Sequence, residues 1–289
     1  MDYILLVLAA VLITAGFFLN KAYQNSEGTS LAAGFRFAAL QGLFTAILFF
    51  VLNGFRLRVT GYSMLMALFV NGFTVGYTLL GFRLLKQGTV AAYSLFLMSG
   101  GMVVPYIFGL LFLHESFSVP QAIGLLLILA GVTFSNFRQE KLGSRQTVLC
   151  CLVFLLNGFV SVSSKLHQTD LGYPAVDVPS FILIGGVIKF ILVEPLYLLA
   201  RRKDKVCLPG KYRWQPVLII AATAAASGLA SLLMLRGASA LPATVLYPFT
   251  TGGSIALSSL AGTVLLGEKP TRVLTVSIVL CFSGTLLFL

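Results

Sequence analysis

Acidic side chains are scarce in this chain: nine Asp and Glu stand against 20 Lys and Arg in 289 residues. There are two histidines, His114 and His167, one tryptophan, and four cysteines, Cys150, Cys151, Cys207 and Cys281. No CxxC pair or zinc-type Cys/His spacing occurs, so no metal site is expected and the cysteines read as small buried hydrophobes. The Gly-Lys-Ser/Thr motif of nucleotide binding is missing, which argues against direct use of ATP. The histidines are isolated at loop edges and form no nucleophile–base set, so the chain does not read as an enzyme and no cofactor is expected. Charged residues of both signs make up 10%, against roughly 25% in a soluble domain.

What fills the chain instead is apolar: 58% of residues, in long runs separated by short polar gaps. A membrane span needs roughly 20 apolar residues to cross about 30 Å of hydrocarbon. Ten runs meet that need approximately, at 3–23, 31–52, 62–84, 88–113, 119–137, 147–166, 179–200, 215–236, 241–266 and 271–289. The first is not read as a signal peptide, because only Asp2 precedes it and no small-residue cleavage site follows. The net charge of +11 does not indicate nucleic-acid binding, since the basic residues sit in the gaps between spans, where they set membrane orientation. The expected fold is therefore an all-α membrane protein, a multi-pass protein of the bacterial cytoplasmic membrane, in contact with lipid. Monomeric and homodimeric assemblies are both compatible with it.

The chain also repeats itself. At a shift of 153 residues, Leu79, Leu80 and Arg83 fall on Leu232, Leu233 and Arg236. Phe96 falls on Phe249, Gly109 on Gly262, Glu115 on Glu268, and Gly131 on Gly284. Nearer the amino ends the register drifts, and Lys21-x-x-Gln24 echoes Lys165-x-x-Gln168. This divides the chain into 1–145 and 146–289, with five helices in each half. An odd number of spans per half forces the halves to insert with opposite orientation, as in many secondary transporters. With the amino terminus outside, fourteen Lys and Arg fall on the cytoplasmic side, six of them from Arg201 to Arg213. Four, Arg56, Arg58, Lys165 and Arg236, fall on the other, so both termini are expected outside.

Each half carries Gly-Leu-Leu-Phe-Leu-His-Glu (109–115) or Gly-Thr-Val-Leu-Leu-Gly-Glu (262–268), followed by a last helix containing Gly131 or Gly284. Together with Arg36-Phe37 at the start of the second helix, these stretches resemble the EamA-type branch of the drug/metabolite transporter superfamily. The resemblance covers the whole chain. It implies a ten-helix bundle around a central cavity lined mainly by helices 1, 3, 4, 6, 8 and 9, with alternating access for a small solute. The family usually keeps both termini in the cytoplasm, so the charge bias of this chain departs from its pattern.

Several side chains are expected to carry the solute chemistry. Asn71 lies on a polar stripe of the third helix with Thr74 and Thr78, and Tyr77 lies beside it; Thr223, Ser227 and Ser231 form another on the eighth. Asn157, Ser161 and Lys165 share a face of the sixth helix, as Lys21 does with Thr14 and Gln24 on the first, and both lysines, being near helix ends, also read as snorkelling to the headgroups. Such faces turn towards neighbouring helices or a cavity. Gly100-Gly101 and Pro105 in the fourth helix, and Pro242, Pro248 and Gly252-Gly253 in the ninth, read either as kinks or breaks that free backbone groups for a solute or as packing flexibility alone. Tyr93, Ser94, Tyr247 and Thr250 would flank that site. Arg236 adds a further cation, whereas Arg36 and Lys189 read as snorkelling or paired within the bundle. Glu194 and His167 are candidates for proton coupling. Glu115 and Glu268 each precede a last helix, where a carboxylate favours the exposed N–H groups, so both read as structural helix starts. A basic cavity favours a small anionic or zwitterionic metabolite such as an amino acid, organic acid or sugar phosphate. A lipid-linked carrier flippase and an exporter of cationic drugs or amines are the alternatives.

Overall fold

Apolar chain in hydrocarbon must satisfy its own backbone, and short gaps between runs leave helices joined by turns as the solution. The computed structural model describes residues 2–28, 30–86, 90–135, 143–204, 214–265 and 272–289, and these contain helices and no strand. In order they are α1 (Asp2–Glu27), α2 (Leu31–Leu52), α3 (Gly61–Lys86), α4 (Val90–Phe112) and α5 (Val119–Ser135). Then come α6 (Ser144–Gln168), α7 (Val178–Asp204), α8 (Trp214–Ala240), α9 (Ala243–Leu265) and α10 (Arg272–Leu286).

Seven of the described helices, α1–α4 and α6–α8, contain stretches long and apolar enough to cross a membrane. Apolar α5 and α10 are shorter, with 17 and 15 residues, or roughly 26 and 23 Å of rise. Large apolar side chains such as Phe112 and Leu126 are exposed on the outside of the bundle, as a lipid-facing surface requires. The chain is a multi-pass membrane protein by this measure.

Local chemistry starts several helices. Ser30 Oγ accepts from Ala33 N before α2, Thr60 Oγ1 from Ser63 N before α3, and an Asp177 carboxylate oxygen from Ser180 N before α7. Some boundaries depart from the sequence expectation. Helix α1 runs on to Glu27 and α8 to Ala240, so Arg236 is inside a helix. Pro242 precedes α9, and its carbonyl accepts from Val245 and Leu246.

The expected breaks in the fourth and ninth helices are absent: α4 and α9 each run unbroken for 23 residues with Pro105 and Pro248 inside them. Gly100 instead lets α4 reach α6, because a Cβ there would sit on the Phe154 carbonyl.

Small residues set the tightest crossings. A Cβ on Gly42 of α2 would lie 2.9 Å from Gly186 O of α7, and a Cβ on Gly186 2.8 Å from Gly42 O. Helices α5 and α10 meet in the same way, with Gly131 against Ser277 O and Gly284 against Gly124 O. The main pairings have a simple order. Helices α2 and α7, α4 and α9, and α5 and α10 pack on each other. The pairs α1–α8, α1–α9 and α2–α8 are matched by α6–α3, α6–α4 and α7–α3.

Candidate functional site

Packing eight helices with small residues at their crossings leaves a cavity of about 600 Å³ between them. It is lined by α1–α4 and α6–α9, and no described residue of α5 or α10 contributes. Helices α2 and α7 thus take part alongside the six that the family resemblance implies. The walls are mostly apolar, with Ile13, Phe17, Val70, Met98, Ile182 and Leu235 among them. Polar groups are set into that surface, as in small-molecule sites generally.

The structure brings six of the sequence candidates together here: Asn71, Tyr77, Asn157, Ser161, Tyr247 and Thr250. Their bonds show what they offer a solute. Asn71 Nδ2 donates to Ala67 O at 2.8 Å and Asn157 Nδ2 to Leu97 O at 2.7 Å. In each amide, Oδ1 remains as an acceptor. Tyr247 OH donates to Ser161 O at 2.6 Å, Ser161 Oγ to Gly101 O at 3.3 Å, and Thr250 Oγ1 to Leu246 O at 2.7 Å. Of the stripe on α8, Ser227 and Ser231 reach the cavity, while Thr223 is buried and bonds Ile219 O. Thr74 and Thr78 bond the carbonyls one turn back and do not line it.

The cation of the cavity is Lys189, near the middle of the 27-residue α7. Its Nζ donates to Gln41 Oε1 of α2 at 2.8 Å, and Gln41 Nε2 donates to Ser227 Oγ of α8 at 3.0 Å. The sequence places Lys189 within a span, to snorkel or to pair inside the bundle, and the structure has it paired. The signal for a larger role was its position, since a lysine at mid-span cannot reach the headgroups.

The remaining candidates lie elsewhere. Lys165 is buried at the end of α6, and its Nζ donates to Ala238 O and Leu241 O, each at 2.7 Å. It thereby caps the carbonyl end of α8 rather than lining the cavity. Beside it, Glu115 accepts from Ala243 N at 2.7 Å and Thr244 N at 2.9 Å. Glu115 therefore starts a helix, but the helix is α9 of the second half and not the adjacent α5. One turn between α8 and α9 is held from both sides by a cation and an anion with matched helix ends.

Tyr93 packs its ring on Gly81 of α3, and Ser94 is half-buried; neither lines the cavity. Lys21 and Arg236 are exposed outside it. Arg36 pairs with Glu27 at 3.2 Å. Glu194 is half-buried on α7 away from the lining residues. His167 is 2% exposed and sits in a closed cluster. Its Nε2 lies 2.9 Å from Ser63 Oγ, its Nδ1 2.7 Å from Gln168 Nε2, and its ring stacks on Phe181 at 3.7 Å. Val176 N also donates to Ser63 Oγ, so the cluster ties the α6–α7 loop to α3. Glu268 lies outside the described residues. Among the described residues no group of His, Cys, Asp and Glu has the arrangement of a metal site.

No family model and no curated protein matches the chain. A solved structure described only as the crystal structure of a protein superposes with a TM-score of 0.79. The match covers 99% of this chain and 95% of the other at 15% sequence identity. At that identity the likeness shows the fold alone, a bundle that is all-helical over the described residues.

Proposed function

We propose that the chain is a secondary transporter that moves a small anionic or zwitterionic metabolite by alternating access. The observation that carries this is the cavity of about 600 Å³ with a lysine ammonium at mid-span. A charge at that depth in a membrane protein is costly to maintain and marks a solute or ion path.

The two-half organisation, 1–145 and 146–289 in inverted orientation, supports the alternating motion. Exchanging α1–α5 with α6–α10 leaves the main helix pairings unchanged. Under the shift of 153, the contact of Gly131 with Ser277 maps onto that of Gly284 with Gly124. An EamA-type assignment agrees with this layout, with the length and with the repeated Glu115 and Glu268. The basic bias towards one side supports both termini outside the cytoplasm, and cysteine labelling within residues 201–213 from the external medium would overturn that orientation.

The test of transport is purified protein in proteoliposomes, offered labelled organic acids, amino acids and sugar phosphates. Saturable uptake, accelerated when the same unlabelled solute is loaded inside, is the expected result. No saturable flux for any of the three classes would sink the proposal.

A further inference from the structure

Resting on the transporter reading, we infer that the cavity takes a monoanionic carboxylate whose body carries hydroxyl or amide donors, with the carboxylate displacing Gln41 from Lys189. Three observations meet in this assignment. The first is charge. Among the described lining residues Lys189 is the cation, and none is Asp or Glu. A single carboxylate brings the loaded cavity to neutrality. A phosphate monoester or dicarboxylate leaves a negative charge unmatched, and a zwitterion leaves the lysine charge uncancelled. Either residue of charge must be held away from water, which low-dielectric surroundings penalise.

The second observation is the state of Lys189. An ammonium has three N–H donors, and among the described residues its hydrogen-bond partner is the neutral amide oxygen of Gln41. A carboxylate is the stronger acceptor for a charged donor. Gln41 therefore acts as a placeholder that a carboxylate outcompetes, while its own N–H bond to Ser227 keeps it in place. The Ser227 hydroxyl, whose bond to Ala224 O is long at 3.4 Å, is the neutral donor available to the second carboxylate oxygen.

The third is the hydrogen-bond count along the rest of the polar wall. Tyr247, Ser161 and Thr250 spend their hydroxyl protons on backbone carbonyls, and Asn71 and Asn157 spend amide protons in the same way. What these groups still offer is mainly acceptor capacity, with one further N–H on each amide. A solute body that fits this wall supplies O–H or N–H donors. A purely hydrocarbon tail would leave the buried acceptors without water or partner.

The experiment measures thermal stabilisation and flux for the full chain in nanodiscs and proteoliposomes with matched six-carbon probes. They are gluconate (hydroxylated monoanion), sorbitol (no charge), glucarate (dianion), hexanoate (monoanion without donors) and lysine (an added cation). Gluconate is expected to bind at least tenfold more tightly than each of the others. Lys189→Met is expected to remove gluconate binding and flux, while Lys189→Arg retains part of both. The comparison within the unmodified protein stands even if a variant fails to fold. Tighter binding of glucarate, sorbitol, hexanoate or lysine than of gluconate overturns the assignment. So does gluconate binding that survives Lys189→Met within twofold. If another probe, or a sugar phosphate or other amino acid offered beside them, crosses saturably while gluconate does not, the substrate assignment fails and the transporter reading stands; if none of these solutes crosses, both fail.

Discussion

Replacing Gly42 with alanine tests the α2–α7 crossing on which the cation of the cavity depends. The new Cβ would lie 2.9 Å from Gly186 O, 3.1 Å from Phe190 N and 3.2 Å from Lys189 Cβ. Two of those atoms are backbone, so no rotamer change relieves the contact. Ordinary van der Waals separation begins near 3.4 Å, so the helices must part by roughly half an ångström along this face, where interiors are close-packed. Overpacking of this kind costs about 1–3 kcal/mol, and a loss of about 2 kcal/mol lowers Tm by roughly 3 °C in a chain of this size. Separating the helices also lengthens the 2.8 Å bond from Lys189 to Gln41, the residue next to Gly42. Thermal unfolding in detergent or nanodiscs reads the effect. Gly186→Ala should behave alike, because its Cβ would meet Gly42 O and Ala46 N. The double variant should cost less than the sum of the two, since the first substitution already moves the helices apart. Gly72→Ala is the control: nothing lies within 4 Å of its Cβ position, and alanine favours helix over glycine by about 1 kcal/mol. A Tm for both Gly42→Ala and Gly186→Ala within about a degree of the parent would refute a backbone crossing at this distance.

Two further outcomes follow from the capped turn and the histidine cluster. Glu115→Ala strips the acceptor from Ala243 N and Thr244 N, and should cost about 1–3 kcal/mol. Faster amide exchange confined to the start of α9 is the specific readout, with Glu115→Gln falling between. His167→Phe keeps a ring against Phe181 but loses the bonds to Ser63 and Gln168. It should lower stability by about 1–3 kcal/mol and leave the pH profile of transport unchanged, because His167 is not a lining residue. A shifted profile would return His167 to a coupling role.

Much of the helical layout was legible because long apolar runs with short polar gaps admit few other solutions in lipid. Asn71, Asn157 and Ser161 were legible as cavity groups because helical spacing places polar residues of a span on one face. Lys189 was not, because its meaning depends on Gln41, 148 positions away on another helix. Lys165 carries the same side-chain chemistry but caps α8, and only the fold brings the carbonyls of Ala238 and Leu241 to it. The glycine pair of α4 shows a different limit. Glycine marks both a broken helix and a close approach, and Phe154 on α6 decides between them at Gly100. Glu115 was recognised as a helix start, yet sequence adjacency pointed to α5 while packing delivers it to α9.

That last displacement bears on how the chain is made. Glu115 precedes its partner Ala243 by 128 residues, so the carboxylate is synthesised long before the helix end it completes. The amino-terminal five helices leave the ribosome with an acceptor waiting, and α9 gains a finished amino end only when the halves dock. The first half thus holds the group that completes a helix end in the second. A chain cut in the α5–α6 linker should mature only when both pieces are made in the same membrane.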